Sequence, residues 1–161
     1  MSRELVEQYA AGSEKLSQAI RGLTQDDLLT QPAPDPTIGK WSIQEVVIHL
    51  ADAEQAMADR MKRVIAEDNP MLLAWDENKW AANLHYQKQS AQDAAEIVKL
   101  IRKQMSAVLS AVPEAAFNRS GTHSEAGKKT LTDLIKGAVN HLEHHLKFIH
   151  AKRAKMGKEM W

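Results

Sequence analysis

The chain has 161 residues, 43% of them hydrophobic, which suits one compact domain spanning residues 1–161 with a core of its own. Lys plus Arg and Asp plus Glu both number 21, so there is no basic field to recruit nucleic acid. Cysteine is absent, which excludes disulfides, a thiolate metal site and a cysteine nucleophile together, and leaves nitrogen and oxygen as the only metal donors. The first residues form an amphipathic pattern with acidic side chains rather than an export leader, and no apolar run approaches the ~20 residues of a membrane span. A soluble cytoplasmic protein, binding neither membrane nor nucleic acid, is expected.

Four long segments carry a 3.6-residue apolar period and predict an all-α, four-helix bundle. In the first, Leu5, Val6, Tyr9, Leu16, Ile20 and Leu23 share a face, Gly12 is a point of loosening, and Thr24 with Asp27 starts a short extra turn before Pro32, Pro34 and Pro36. The second opens on the capping box Ser42 and Glu45 and buries Ile43, Val46, Val47, Leu50, Met57, Met61, Val64 and Ile65.

The connection over residues 67–89 is too long to be structureless and predicts a local helical turn. Trp75 and Trp80 within it are expected to seal the core. The third helix starts at Ser90, runs through Ile97, Val98, Leu100, Ile101, Met105, Val108 and Leu109, and stops before Pro113. Residues 119–129 are polar and contain glycine, predicting a mobile loop, and no strand pattern stands out. The fourth helix starts at Thr130 with Asp133, and Leu131, Leu134, Ile135, Ala138, Leu142, Leu146 and Ile149 form its stripe. The basic residues of 147–158 complement the helix dipole at its end and are expected to fray into solvent.

His141 and His145 are four residues apart on this last helix, ~40° in rotation, so both imidazoles can reach one ion. The same spacing also suits two ordinary core histidines. His145 lies within the stripe and His141 on its flank, whereas His144 and His150 point elsewhere. On the second helix His49 is a flank residue, sharing its side with Ala53, Ala56 and Arg60, small residues that leave room for a pocket. Glu54 falls on the apolar stripe, where a carboxylate needs a metal, a cation or a shared proton, and it is a candidate base or support for the metal ligands.

The segments Gly39-Lys-Trp-Ser-Ile-Gln-Glu-Val-Val-Ile-His-Leu-Ala-Asp52, Asn69-Pro-Met-Leu-Leu-Ala-Trp-Asp-Glu-Asn-Lys-Trp80 and His141-Leu-Glu-His-His145 resemble the DinB-like superfamily, near its YfiT-type metal-dependent hydrolases and bacillithiol transferases. The resemblance implies an up-down-down-up four-helix bundle, commonly a homodimer, that holds a divalent zinc or nickel ion through His49, His141 and His145. It implies transfer of a low-molecular-weight thiol to an electrophilic small molecule. Metal-dependent hydrolysis and a non-catalytic metal-binding interaction module are the alternatives. YfiT-type relatives often carry His-Pro-Asp before the last helix, where this chain has Thr122-His-Ser-Glu125.

Overall fold

The computed structural model describes residues 2–31, 33 and 35–160, so Pro32 and Pro34 of the expected first stop lie outside the described residues. Among the described residues there are six α-helices: α1 (Ser2–Ala19), α2 (Gln25–Leu29), α3 (Ile43–Ala66), α4 (Glu77–Asn83), α5 (Ala91–Ala111) and α6 (Leu131–Lys155). Three short strands join them, β1 (Met71–Leu72), β2 (Ser120–His123) and β3 (Gly127–Thr130).

The start signals in the sequence are the caps of the structure. Thr24, Ser42 and Thr130 each accept a hydrogen bond from the backbone N–H three residues on, and the Asp27, Glu45 and Asp133 carboxylates accept one from the cap residue's own backbone N–H, satisfying orphan helix donors from both sides. Ser90 caps α5 by accepting from the Asp93 N–H. The first helix ends at Ala19, short of Leu23, and Ile20 and Leu23 join the core from a turn.

Helices α1, α3, α5 and α6 form the bundle, α1 and α3 each packing on both α5 and α6. Side-chain pairs give their directions. Tyr9, Glu54, Arg102 and the Ala138 carbonyl meet at one level. Moving along α1 to Lys15 meets Glu143, later on α6, so α1 and α6 are parallel. Glu14 meets Lys99, earlier on α5, so α1 and α5 are antiparallel. Lys62 donates to Gln104, both downstream of that level, so α3 and α5 are parallel. The path is up-down-down-up.

Gly12 does not loosen α1. A Cβ there would stand 2.2 Å from Nη1 of Arg102 and 2.6 Å from Cδ2 of Leu142, so the bare backbone is what admits the Arg102 guanidinium to the core. Ile97 and Leu100 of α5, expected in the core, are 40% and 57% exposed, because α5 shows its partners only the face of Val98, Arg102, Met105 and Leu109.

The segment expected to be a mobile loop is a hairpin. Strands β2 and β3 pair antiparallel from Ser120↔Thr130 to His123↔Gly127, and β1 adds to β2 in parallel. Pairing, not apolar alternation, makes these strands, which is why no pattern announced them. Gly121 lets the Pro70 carbonyl approach to where a Cβ would be 2.7 Å away, and His123 accepts from the Glu125 and Ala126 N–H groups to fasten the turn.

The basic end of α6 does not fray into solvent. Lys152 is 1% and Arg153 7% exposed, because Arg153 donates to the Ala19 and Arg21 carbonyls at the end of α1 while Lys152 donates to the Ile38 carbonyl. Their dipole complement is largely to a neighbouring helix and loop. No helix among the described residues is long and apolar enough to cross a membrane.

Candidate metal centre

Helices α3 and α6 cross where His49 faces His141 and His145. The ring centroids form a triangle of 5.0, 4.8 and 4.6 Å, and one ring nitrogen from each residue lies within 4.8 Å of the other two. Nε2 of His49 and Nε2 of His141 are 3.1 Å apart. Two imidazole nitrogens held ~2.05 Å from one ion at a tetrahedral angle would be ~3.3 Å apart, so this pair already stands near ligand spacing.

His49 is fully buried, and the other two are partly so. Burial pushes His49 and His141 down to about 4 and His145 down to about 3, with mutual repulsion among the imidazoles, and Arg102 near His141, acting the same way. All three are therefore neutral at pH 7, the form that offers a lone pair. Nδ1 of His49 and Nδ1 of His145 are buried without a hydrogen-bond partner. Core histidines kept for packing satisfy such atoms; an ion at Nε2 of His49 would leave its Nδ1 unpartnered, so that atom calls for a water, and only the His145 atom is one that the ion itself could account for. The donor set fits a divalent cation held by nitrogen. His144 is exposed and stacks edge-on against His145 and Phe148, and His150 is exposed, so neither joins the group.

Glu54 lies outside the trio. Its carboxylate accepts from the Tyr9 hydroxyl and takes two hydrogen bonds from Arg102, at 2.9 and 2.8 Å. Of the three partners its position called for, the one present is a cation. The carboxylate that does face the imidazoles is Glu77, at the start of α4, with Oε2 3.7 Å from Nε2 of His49 and half of its side chain exposed. Sequence reasoning passed over it, since an acidic residue after the cap Asp76 reads as a helix start.

The pocket expected beside Ala53, Ala56 and Arg60 is present as a cleft of about 260 Å³ lined by Ala56, Arg60, Met71 and Leu73, but none of the three imidazoles lines it. Arg60 turns away to donate to the Leu73 carbonyl and lies under the Trp75 ring at 4.9 Å. A second cleft, of about 300 Å³, opens next to His145, walled by Ile38, Trp41, Val46 and Phe148, with Glu77 in its lining. Trp41 packs on His49 with ring centroids 5.0 Å apart. Trp41 and Val46 hold the N′ and N4 positions of α3, where a hydrophobic staple fixes the entry of the chain, and that local signal could have identified them. Trp80, expected to seal the core, is 36% exposed and leans on the half-buried Trp75. Asp52 accepts from the Tyr86 hydroxyl at 2.5 Å, and Gln44 donates to the Tyr86 and Gln87 carbonyls, fastening the connection after α4 onto α3.

Fold and site together define a four-helix bundle with a three-imidazole cluster between two of its helices. The chain belongs to the DinB superfamily, whose family profile matches residues 8–149. Among curated relatives, YfiT of Bacillus subtilis is 26% identical over 144 residues, 89% of this chain and 79% of the relative. A Geobacillus thermodenitrificans protein is 26% identical over 159 residues, 96% and 87% of the two chains. Another, OB0782 of Oceanobacillus iheyensis, is 27% identical over 111 residues, 69% of this chain and 64% of the relative. All three are provisionally named metal-dependent hydrolases. The solved structure of Bacillus subtilis YfiT, described as a probable metal-dependent hydrolase with an unusual four-helix bundle topology, superposes with a TM-score of 0.87 at 23% identity over 97% of this chain and 87% of that one. The fold is thus a YfiT-like four-helix bundle, in which the three-stranded sheet is a minor part.

Proposed function

We propose that this protein is a metal-dependent enzyme acting on small molecules, in which His49, His141 and His145 hold one divalent ion, zinc or nickel, with at least one position left for a reactant. The observation that carries this reading is the convergence of three neutral imidazoles with no fourth histidine or carboxylate in their group among the described residues. Structural sites of this kind close their shell with four protein ligands, and catalytic ones keep a position open. The names of the relatives support hydrolysis. A bound divalent ion supplies Lewis acidity, lowering the pKa of a water or thiol and polarising an electrophile.

The chain's own residues complete the site. Glu77, beside His49 yet outside the ligand group, is placed to accept a proton from an incoming nucleophile. Trp41 covers His49 and keeps solvent from that side. Ile38 and Phe148 hold the reactant's apolar part against His145.

Transfer of a low-molecular-weight thiol, bacillithiol-like, to an electrophilic small molecule is the second reading. The apolar walls of the cleft favour it, because they shield an electrophile from water, and a chain without cysteine must take its sulfur from outside. Metal-loaded and metal-stripped protein, assayed for ester and amide hydrolysis and for thiol consumption with electrophiles, separates the two. Turnover of one class, lost on stripping, is expected. Turnover of neither would leave a non-catalytic metal-binding module. The reading includes a cytoplasmic homodimer, and sedimentation velocity showing only monomer would reject the dimer.

A further inference from the structure

Lys152 is a buried cation with unused donors. Its side chain is 1% exposed and lines the cleft beside His145. Among the described residues its ammonium donates to one acceptor, the Ile38 carbonyl, although an ammonium carries three N–H donors. The nearest carboxylates are engaged elsewhere: Asp35 pairs with Lys155, and Glu45 accepts from the Ser42 backbone and from Gln31 and Gln87. The ammonium also lies over the Phe148 ring, 5.4 Å from its centroid, and both side chains line the cleft. Burial lowers its pKa to about 8, so most of it is charged at pH 7. A buried cation short of acceptors, at the edge of an apolar cleft, is complementary to an anion carried on an apolar body.

We propose that the cleft binds the substrate as an apolar carboxylate, its aromatic or branched-alkyl body lying between Trp41 and Phe148 and its carboxylate on the Lys152 ammonium. The cleft, at about 300 Å³, is at the small end of ligand sites and suits a molecule of roughly a dozen heavy atoms. This inference takes from the proposed function only the statement that a reactant enters beside His145. The binding itself requires no metal.

Two probes of matched shape test it, 2-naphthoate and the neutral 2-naphthalenemethanol, titrated into the full chain with and without zinc and followed by amide and indole NMR signals. Wild type is expected to bind naphthoate at least tenfold more tightly than the alcohol, with shifts at Gly39 and Trp41, in both zinc states. Lys152→Met should bring naphthoate to the alcohol's affinity and leave the alcohol unchanged, while Phe148→Ala weakens both about tenfold. If Lys152→Met loses its helical circular dichroism, Lys152→Gln takes its place. Equal binding of the two probes by wild type, a preference that survives at Lys152→Met, a preference that disappears on stripping zinc, or shifts elsewhere on the surface would each overturn the proposal. Zinc content measured on the same samples keeps the two readings apart: zinc retained without naphthoate binding defeats the carboxylate cleft alone, and naphthoate bound without zinc uptake defeats the metal centre alone.

Discussion

Arg102 and Glu54 form an ion pair across the middle of the bundle, 2.8 Å apart, with side chains 1% and 5% exposed. Arg102 also donates to the Tyr9 and Ala138 carbonyls and stacks 4.6 Å from the Tyr9 ring, so one guanidinium on α5 touches α1, α3 and α6. Removing one member of such a pair leaves an uncompensated charge in the core and costs about 3–5 kcal/mol, whereas replacing both with apolar residues costs far less. Arg102→Met and Glu54→Gln are each expected to lower stability by that order in urea unfolding, and Glu54→Leu combined with Arg102→Met should recover a good part of it. At a temperature where Glu54→Gln remains folded, its metal content should equal wild type, because the carboxylate's oxygens serve Tyr9 and Arg102.

Gly12→Ala tests the same junction from the other side. Alanine favours helix over glycine by about 1 kcal/mol, yet the new methyl would meet both Arg102 and Leu142. Overpacking of this kind costs about 1–3 kcal/mol, so the variant should unfold at a lower temperature than wild type despite its better helix former. A higher melting temperature would contradict the close approach.

Elemental analysis reads the metal centre directly. His49→Ala, His141→Ala and His145→Ala are expected to lose the ion, and His144→Ala to keep it. Equal occupancy in the four variants would sink the assignment. Glu77→Gln should hold its metal and lose turnover at least tenfold, since the carboxylate stands beside the ligand group and not in it.

The imidazoles make the pH behaviour specific. Their folded-state values near 4, 4 and 3 lie below the ordinary 6.5, so as pH falls the unfolded chain takes up protons first. Metal-free protein should therefore hold its stability above about pH 6.5 and lose it steadily as pH drops toward 4. Metal uptake in weakly buffered solution at pH 6 should release well under one proton, where three imidazoles of ordinary pKa would release about two. Release of two protons would show that the trio is not desolvated in the metal-free fold.

What the sequence disclosed was local. The caps at Thr24, Ser42, Ser90 and Thr130 depend on residues three apart, and His141 with His145 depends on one turn of helix. Glu54 was visible as a carboxylate in need of a partner, but that partner, Arg102, lies 48 residues away and reads as an ordinary surface arginine until α5 packs. Glu77 and Lys152 were hidden for a related reason, since charged residues at helix ends have a sufficient local explanation in the dipole. The hairpin over residues 120–130 was hidden because its strands are stabilised by pairing with each other and with β1, which short polar sequences do not advertise.

The parallel course of α3 and α5 has a consequence for how this site can change. A chain that finishes α3 must travel back the whole length of that helix, ~36 Å for its 24 residues, before α5 can begin beside it. That return strand of chain passes over the imidazoles, and it is where Glu77 and α4 are found. The ligands ride on the two rigid helices while part of the roof belongs to a connection that is pinned to the core at Leu72 and Tyr86 and buries nothing along α4 between them. Insertions or substitutions between those two anchors can thus alter what enters the cleft and leave the grip on the ion intact.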